Sequence, residues 1–73
     1  MIGAKIQQAL IAAGKPDWVM TGKQLNPYQK KLLADNGLST QKYTALLYAN
    51  KDQQFSYIVK LCKALDLNIS DLV

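Results

Sequence analysis

The sequence has no histidine, no arginine and no glutamate, and it has a single cysteine, Cys62. A zinc site is therefore not expected, because His and Cys supply most zinc ligands. A single cysteine also leaves no internal disulfide framework. Catalysis has no His base and no Glu to draw on, and the five Asp are spread singly along the chain. The four glycines are isolated, so no phosphate-binding loop is present. We expect no enzymatic activity, no metal, no cofactor and no small-molecule ligand.

Long hydrophobic runs are also missing. No stretch approaches the ~18 consecutive apolar residues that a membrane-spanning helix needs. The first fourteen residues contain Lys5, two Gln and no long apolar run, which argues against a signal peptide. Together with the lone cysteine, this predicts a cytoplasmic protein in a reducing compartment, with no membrane partner.

The chain contains enough apolar residues for one small hydrophobic core. Its 73 residues are 49% apolar, which predicts a single domain over residues 1–73. Nine Lys against five Asp give a net charge of +4, which favours an anionic partner such as nucleic acid or an acidic surface. A soluble protein that happens to be basic fits the charge equally well. The absence of Arg removes the side chain that most often reads guanine bidentately.

Apolar residues recur at helical spacing in four stretches, which are residues 2–13, 27–36, 40–49 and 55–65. Gly14 and Gly37 are suited to end helices, because glycine readily adopts the left-handed conformation. Asn26 before Pro27, Ser39 or Thr40, and Asn68 are suited to begin them. The pattern predicts an all-α, compact bundle of five or so short helices, counting a last turn from Ile69. In the stretch 27–36, Tyr28, Leu32 and Leu33 are expected to face inward. Residues 55–65 carry a continuous apolar stripe that begins at Phe55 and includes Cys62, so we expect Cys62 in the core.

The helix over residues 40–49 has two different faces. Tyr43, Leu46 and Leu47 form an apolar stripe at i, i+3, i+4. Gln41, Ala45 and Tyr48 lie on the opposite face, with Thr44 beside them. A recognition helix needs this division, because one side holds it to the domain while the other can read base edges in a major groove.

The surrounding pattern resembles the helix-turn-helix of the Cro/repressor (XRE) family of phage and bacterial regulators. The resemblance is carried by the Gly37-Leu38-Ser39 turn, by the helix that follows, and by the run KALDLNISDLV, similar to the family's KALGV-like run. It covers about residues 25–73. It implies a lambda-repressor-like fold with a helix-turn-helix core at 27–49 and supporting helices at 55–73. It also implies a sequence-specific regulator of transcription, a repressor of phage type bound to an operator in the bacterial nucleoid.

The resemblance assigns contacts to particular residues. Thr40, Gln41 and Lys42 correspond to base-contacting positions, and Ala45 one turn later can meet a thymine methyl. Gln29 occupies the family's phosphate-contacting position, beside Lys30 and Lys31 in the first turn of the preceding helix. Further phosphate contacts are expected from Tyr48, on the reading face, and from Asn50 and Lys51, just after the helix. The apolar C-terminal segment around Leu67, Ile69, Leu72 and Val73 is expected to form a homodimer.

Residues 15–26 do not fit the family pattern. Either residues 1–14 are the family's first helix and an insertion follows, or a short helix over Trp18, capped by Asp17, takes that place. We adopt the first alternative, with an atypical N-terminal part at 1–26, and expect Trp18 to be a core anchor. The odd segment and the missing Arg support a second hypothesis. In it, a helix-turn-helix fold serves as a protein-interaction module, such as an antitoxin, adaptor or inhibitor, and exposes apolar groups such as Trp18 or Ile11.

Overall fold

The computed structural model describes residues 2–49 and 53–72, which form α-helices joined by short turns. The α-helices are α1 (Ile2–Ala12), α2 (Pro27–Asp35), α3 (Thr40–Tyr48) and α4 (Phe55–Leu65), and 3-10 turns lie at Pro16–Trp18, Gly22–Gln24 and Ile69–Asp71. The Cα radius of gyration is 10.8 Å, close to the ~11 Å expected for a compact chain of this length. The predicted all-α, compact class is confirmed, with four α-helices in the described residues where five or so were expected. In this part of the chain, no helix is long and apolar enough to cross a membrane.

Local capping fixes where α2 and α3 begin. Asn26 Oδ1 accepts a hydrogen bond from the Gln29 backbone N–H at 2.8 Å, and Pro27 takes the first helical position. Gly37, with φ of +79°, provides the left-handed residue that ends α2. Ser39 Oγ then accepts from the backbone N–H of Lys42 at 3.0 Å and begins α3. These predicted caps are confirmed.

The end of α4 is capped by a residue other than glycine. Asp66 stands where the KALGV-like run has glycine, and its φ is +55°, in the left-handed region. The backbone N–H groups of Asp66 and Leu67 both donate to the Cys62 carbonyl, the latter at 2.9 Å. Asn68 then caps the last 3-10 turn, its Oδ1 accepting from the Ser70 N–H at 3.1 Å. The left-handed conformation is therefore held by an Asp, at a local cost that glycine would not have.

One hydrophobic core joins all four helices. Its centre is α3, whose Tyr43, Leu46 and Leu47 are completely buried. The buried thiol of Cys62 confirms its predicted core position. The other buried apolar side chains come from every part of the described chain: Ile6, Leu10, Trp18, Leu25, Leu33, Leu38, Ile58, Leu61, Leu65 and Leu72.

Helix α1 approaches the C-terminal end of α3 at backbone distance. A Cβ atom added at Gly3 would lie 2.4 Å from the Leu47 carbonyl oxygen, which is far inside van der Waals contact. The Gln7 side chain donates to the same carbonyl, with 2.8 Å between Nε2 and O. That bond satisfies one of the carbonyls that the end of a helix leaves unpaired. Helix α1 therefore fixes the far end of α3.

The segment 15–26 packs on the other end of α3. Trp18 is buried, as predicted, and its ring meets Tyr43 edge-on, with 6.0 Å between ring centroids. The Tyr43 hydroxyl donates to the Trp18 carbonyl, and the Gly22 N–H donates to Thr44 Oγ1 at 2.6 Å. The alternative of a short helix capped by Asp17 is wrong. Asp17 lies inside a 3-10 turn that starts at Pro16, and a second 3-10 turn follows at Gly22–Gln24.

Two aromatic side chains expected in apolar stripes are exposed instead. Tyr28 was expected to face inward but is 71% exposed, and Phe55, at the start of α4, is 59% exposed. The inner face of α2 is centred on Leu33, and Gln29, four residues earlier, lies on that face and fills the inward position. Ile11 is 58% exposed, in agreement with its expected place on the surface.

Candidate nucleic-acid interface

The outer face of α3 is polar and accessible. Gln41 is exposed, and Tyr48 keeps 42% of its surface in solvent. Thr44 and Ala45 are half-buried on the same side of the helix. The predicted division of this helix is therefore confirmed: an apolar side holds it in the core, and the opposite side presents an amide, a phenol and small side chains.

The four residues predicted to contact bases do not all point the same way. Gln41 is exposed and Ala45 is half-buried on the outer face. Thr40 is half-buried because the backbone of Gly22 packs against it: a Cβ at Gly22 would lie 2.8 Å from the Thr40 Cβ. Gln41 is thus the most accessible hydrogen-bonding side chain in the first turn of α3.

Lys42 turns toward α4, where its ammonium group and that of Lys60 both lie near the ring of Tyr57; these three residues are called the Lys42–Tyr57–Lys60 cluster. The Lys42 Nζ lies 4.6 Å from the ring centroid of Tyr57, and the Lys60 Nζ lies 5.0 Å from the same centroid. A phenol ring attracts cations through its negative face, a contact worth ~0.5–1 kcal/mol when exposed. Two ammonium groups at one ring create a positive site that favours phosphate. Lys60 was not predicted as a contact residue. The i, i+3 spacing of Lys60 from Tyr57 is visible in the sequence, but the approach of Lys42 to the same ring is not.

Lys30 and Lys31 are exposed in the first turn and a half of α2, as phosphate-binding residues must be. The Lys31 ammonium forms an ion pair with Asp35 at 3.1 Å, one turn later in the same helix. Exposed pairs of this i,i+4 type contribute only about 0.3–0.5 kcal/mol. A phosphate can therefore compete for Lys31 at little cost. The predicted contacts Asn50 and Lys51 lie outside the described residues.

Gln29, which the resemblance assigns to a phosphate contact, is buried in the structure. Its side chain is 2% exposed. The Oε1 accepts from the Asn26 backbone N–H at 2.9 Å, and the Nε2 donates to the Asp17 carbonyl at 3.2 Å. Both ends of the amide are used inside the protein, because the segment 15–26 covers the start of α2. In this conformation the geometry gives Gln29 a packing role and offers no surface for a phosphate.

Lys23 is a further exposed cation that the sequence analysis did not single out. It lies in the 3-10 turn Gly22–Gln24, which packs beside the first turn of α3. Thr21, Gly22 and Lys23 form one wall of a groove of about 410 Å³, and Thr40, Gln41 and Thr44 form the other. Nothing in the local sequence pattern indicates this, because the groove depends on how a segment without helical periodicity packs.

An apolar groove lies between α4 and the C-terminal turn. Its volume is about 570 Å³, and its apolar lining consists of Phe55, Val59, Cys62, Leu67 and Ile69. The charged side chains of Lys63 and Asp66 lie at the same groove. These residues include part of the segment predicted to form a dimer.

Two titratable groups in the core are held in their neutral forms. Burial raises the pKa of the Cys62 thiol, which disfavours the reactive thiolate. Burial is also the main cause that raises the pKa of Tyr43, and the nearby Tyr48 and Asp17 add to it. In residues 2–49 and 53–72, no three His, Cys, Asp or Glu side chains are grouped so that they could hold a metal ion.

Comparison with family models finds no match, and neither the curated proteins nor the solved structures include one that matches this chain significantly.

Proposed function

We propose that the protein is a sequence-specific, double-stranded DNA-binding regulator of the Cro/repressor type. In this proposal α2, the Gly37 turn and α3 act as a helix-turn-helix, and α3 enters the major groove. The observation that carries the proposal is the two-sided α3. Its inner face is completely buried, while Gln41 is exposed in its first turn and lines a groove together with Lys23.

Bases would be read mainly by Gln41. A Gln amide can pair with the adenine N6 and N7 atoms, and the Ala45 methyl can contact a thymine methyl. Phosphates would be held by Lys30 and Lys31 on one side, and by the Lys42–Tyr57–Lys60 cluster on the other. Phosphate contacts position the domain, whereas base contacts specify the sequence. Phosphate contacts by lysines and base contacts by a glutamine fit a protein with nine Lys and no Arg.

The N-terminal part fits the alternative in which α1 is the family's first helix and residues 15–26 are an insertion. Helix α1 packs directly on α3, and the segment 15–26 contains only 3-10 turns. The segment supports α3 from the side without replacing any helix.

We further propose that two copies pair through the C-terminal apolar groove, of which Phe55 is an exposed part. A two-fold dimer would place two copies of α3 about one helical turn, ~34 Å, apart on a pseudo-palindromic operator. Occupying such a site would block or redirect RNA polymerase.

Binding to duplex DNA at several salt concentrations tests the proposal. Fluorescence anisotropy should show binding to random-sequence duplexes that weakens steeply with salt, with log K falling by ~0.9 per neutralised phosphate for each decade. Lys30→Gln should lower the slope by ~1 and weaken all sequences equally. On an operator selected from a random pool, Gln41→Ala should relax the preference at one or two base pairs by ~1–3 kcal/mol each. Absence of binding at low salt would overturn the proposal.

A protein-interaction module remains the second candidate, supported by exposed Ile11 and Tyr28. Trp18, which this hypothesis named with Ile11 as an exposed apolar group, is buried. Failure to bind DNA, together with binding to a protein partner that Ile11→Ser abolishes, would favour this second candidate.

A further inference from the structure

We propose that the 3-10 turn Gly22–Gln24 is part of the DNA-binding surface, and that Lys23 binds a backbone phosphate next to the bases read by Gln41. The inference rests on the proposed DNA-binding function and assigns to residues 15–26 a role in it. It identifies a contact residue outside the predicted set and outside α2, α3 and α4.

The first observation is that the turn and the reading helix share a groove. One wall comes from Thr21, Gly22 and Lys23, and the other from the first turn and a half of α3, including Gln41. Lys23 and Gln41 are both exposed. A DNA strand that follows this groove while a base edge meets Gln41 would bring its phosphates within reach of the Lys23 ammonium.

The second observation is that the turn is fixed to α3 by its backbone. The Gly22 N–H donates to Thr44 Oγ1 at 2.6 Å, and Thr44 Oγ1 donates to the Thr40 carbonyl at 3.0 Å. A Cβ at Gly22 would lie 2.8 Å from both the Cβ and the carbonyl oxygen of Thr40. Only glycine permits this approach. Lys23 is therefore held at a defined distance from the reading helix, although it lies in a turn.

The third observation concerns Gln29, the residue that the family resemblance assigns to phosphate. The segment 15–26 covers it, and its Nε2 donates to the Asp17 carbonyl at 3.2 Å. The element that removes Gln29 from the surface carries Lys23 on its outer side. The exposed Asp17 opposes Lys23 within the segment, and the net charge of residues 15–26 is +1 because Lys15 is also present.

An ammonium group at this place would contribute affinity without sequence preference. Lysine acts as a compact point charge and does not impose the planar geometry by which arginine reads guanine. The expected effect of Lys23 is thus on salt dependence and on affinity for all duplexes. The fixed spacing to Gln41 would set the register of the reading helix on the duplex.

The test compares Lys23→Gln with Lys5→Gln in the anisotropy assay, on one selected operator and one unrelated duplex. Lys5 is an exposed lysine of α1 that lines a different groove with Asp66 and Asp71, so its replacement makes the same charge change elsewhere. At 0.15 M salt the Debye length is ~8 Å, so a remote charge should matter little. Lys23→Gln should reduce the salt slope by ~1 and weaken both duplexes by the same factor. Lys5→Gln should leave the slope unchanged.

Equal effects of the two variants, with the unaltered protein still binding, would overturn the role of Lys23 and leave the proposed function intact. Absence of binding by the unaltered protein would overturn both.

A second pair of variants tests the attachment of the turn. Thr44→Val keeps the shape of the side chain and removes the acceptor of the Gly22 N–H. In the Thr44→Val background, Lys23→Gln should lower the salt slope by less than it does in the unaltered protein, because the turn is no longer fixed. An undiminished effect of Lys23→Gln in the Thr44→Val background would overturn the claim that α3 positions Lys23.

Discussion

The phenolic hydroxyl of Tyr43 donates a hydrogen bond to the backbone carbonyl of Trp18. This contact joins the buried face of α3 to the segment 15–26, and Tyr43 itself is fully buried. It is a core contact between two segments that lie 25 residues apart in the chain. Loss of this hydrogen bond should therefore lower the free energy of unfolding of the whole domain.

Tyr43→Phe should destabilise the protein by about 1–3 kcal/mol at neutral pH, because it leaves the Trp18 carbonyl without this partner. Urea denaturation followed by circular dichroism measures the change. Tyr28→Phe is the matched control, since Tyr28 is 71% exposed. The control should stay within ~0.5 kcal/mol of the unaltered protein.

The stabilities of the unaltered protein and of Tyr43→Phe should also depend differently on pH. Burial, with Tyr48 and Asp17 adding to it, raises the pKa of Tyr43, so the folded protein keeps the phenolic proton above pH ~10, where the unfolded chain loses it. The stability of the unaltered protein should then fall with rising pH by up to ~1.4 kcal/mol per pH unit from this group. Tyr43→Phe lacks this titration, so the stability difference between the two proteins should narrow above pH ~10. A constant difference would contradict the raised pKa.

Gly3→Ala should destabilise the protein, although alanine is the better helix former by ~1 kcal/mol. The new methyl would lie 2.4 Å from the Leu47 carbonyl oxygen, so α1 must move away from α3. We expect a loss of about 1–3 kcal/mol, the usual cost of overpacking. Thermal unfolding measures it. A gain in stability would mean that α1 does not approach α3 as closely as described.

Gln29→Ala separates the structural role of this residue from its predicted phosphate contact. The change removes the acceptor of the Asn26 N–H and the donor to the Asp17 carbonyl, and should cost about 1–3 kcal/mol of stability. The salt slope of DNA binding by the folded variant should equal that of the unaltered protein. A salt slope reduced by ~1, with unchanged stability, would instead support the predicted phosphate contact of Gln29.

Asp66→Gly should stabilise the protein by about 1 kcal/mol. Asp66 has φ of +55°, a conformation that costs most L-residues about 1–2 kcal/mol and glycine nothing of that kind. The change also removes a negative charge from the C-terminal end of α4, where the helix dipole is unfavourable to it. Greater flexibility of glycine in the unfolded chain offsets part of the gain. Asp66→Ala is the control: it removes the same charge but keeps the steric penalty of the left-handed conformation, so it should stabilise the protein less than Asp66→Gly.

The sequence predicted the helices well because their signals are local. Asn26, Ser39 and Gly37 act on neighbouring backbone groups, and a cap or a left-handed glycine can be recognised without knowledge of the rest of the fold. The inner face of α3 was equally clear from its spacing. Trp18 was recognisable as a core residue from its size and apolar character.

The candidate interface was less predictable because it depends on contacts between distant segments. The burial of Gln29 follows from the packing of residues 15–26, which have no helical periodicity. The direction of Lys42 follows from the position of Tyr57 on α4. Neither could be derived from the pattern of α2 or α3 alone, and the same holds for the groove beside Lys23.

Under the proposed function, the contacts at the two ends of α3 would affect discrimination between DNA sites. Gly22 and Thr44 hold its beginning, and Gly3 and Gln7 hold its end. A helix clamped in this way loses little conformational entropy on binding, because it is already ordered. These contacts would also oppose a shift of the helix toward a wrong base pair. Any adaptation to an imperfect operator must then come from distortion of the duplex, so stiff and flexible DNA sequences of equal base content should be bound unequally.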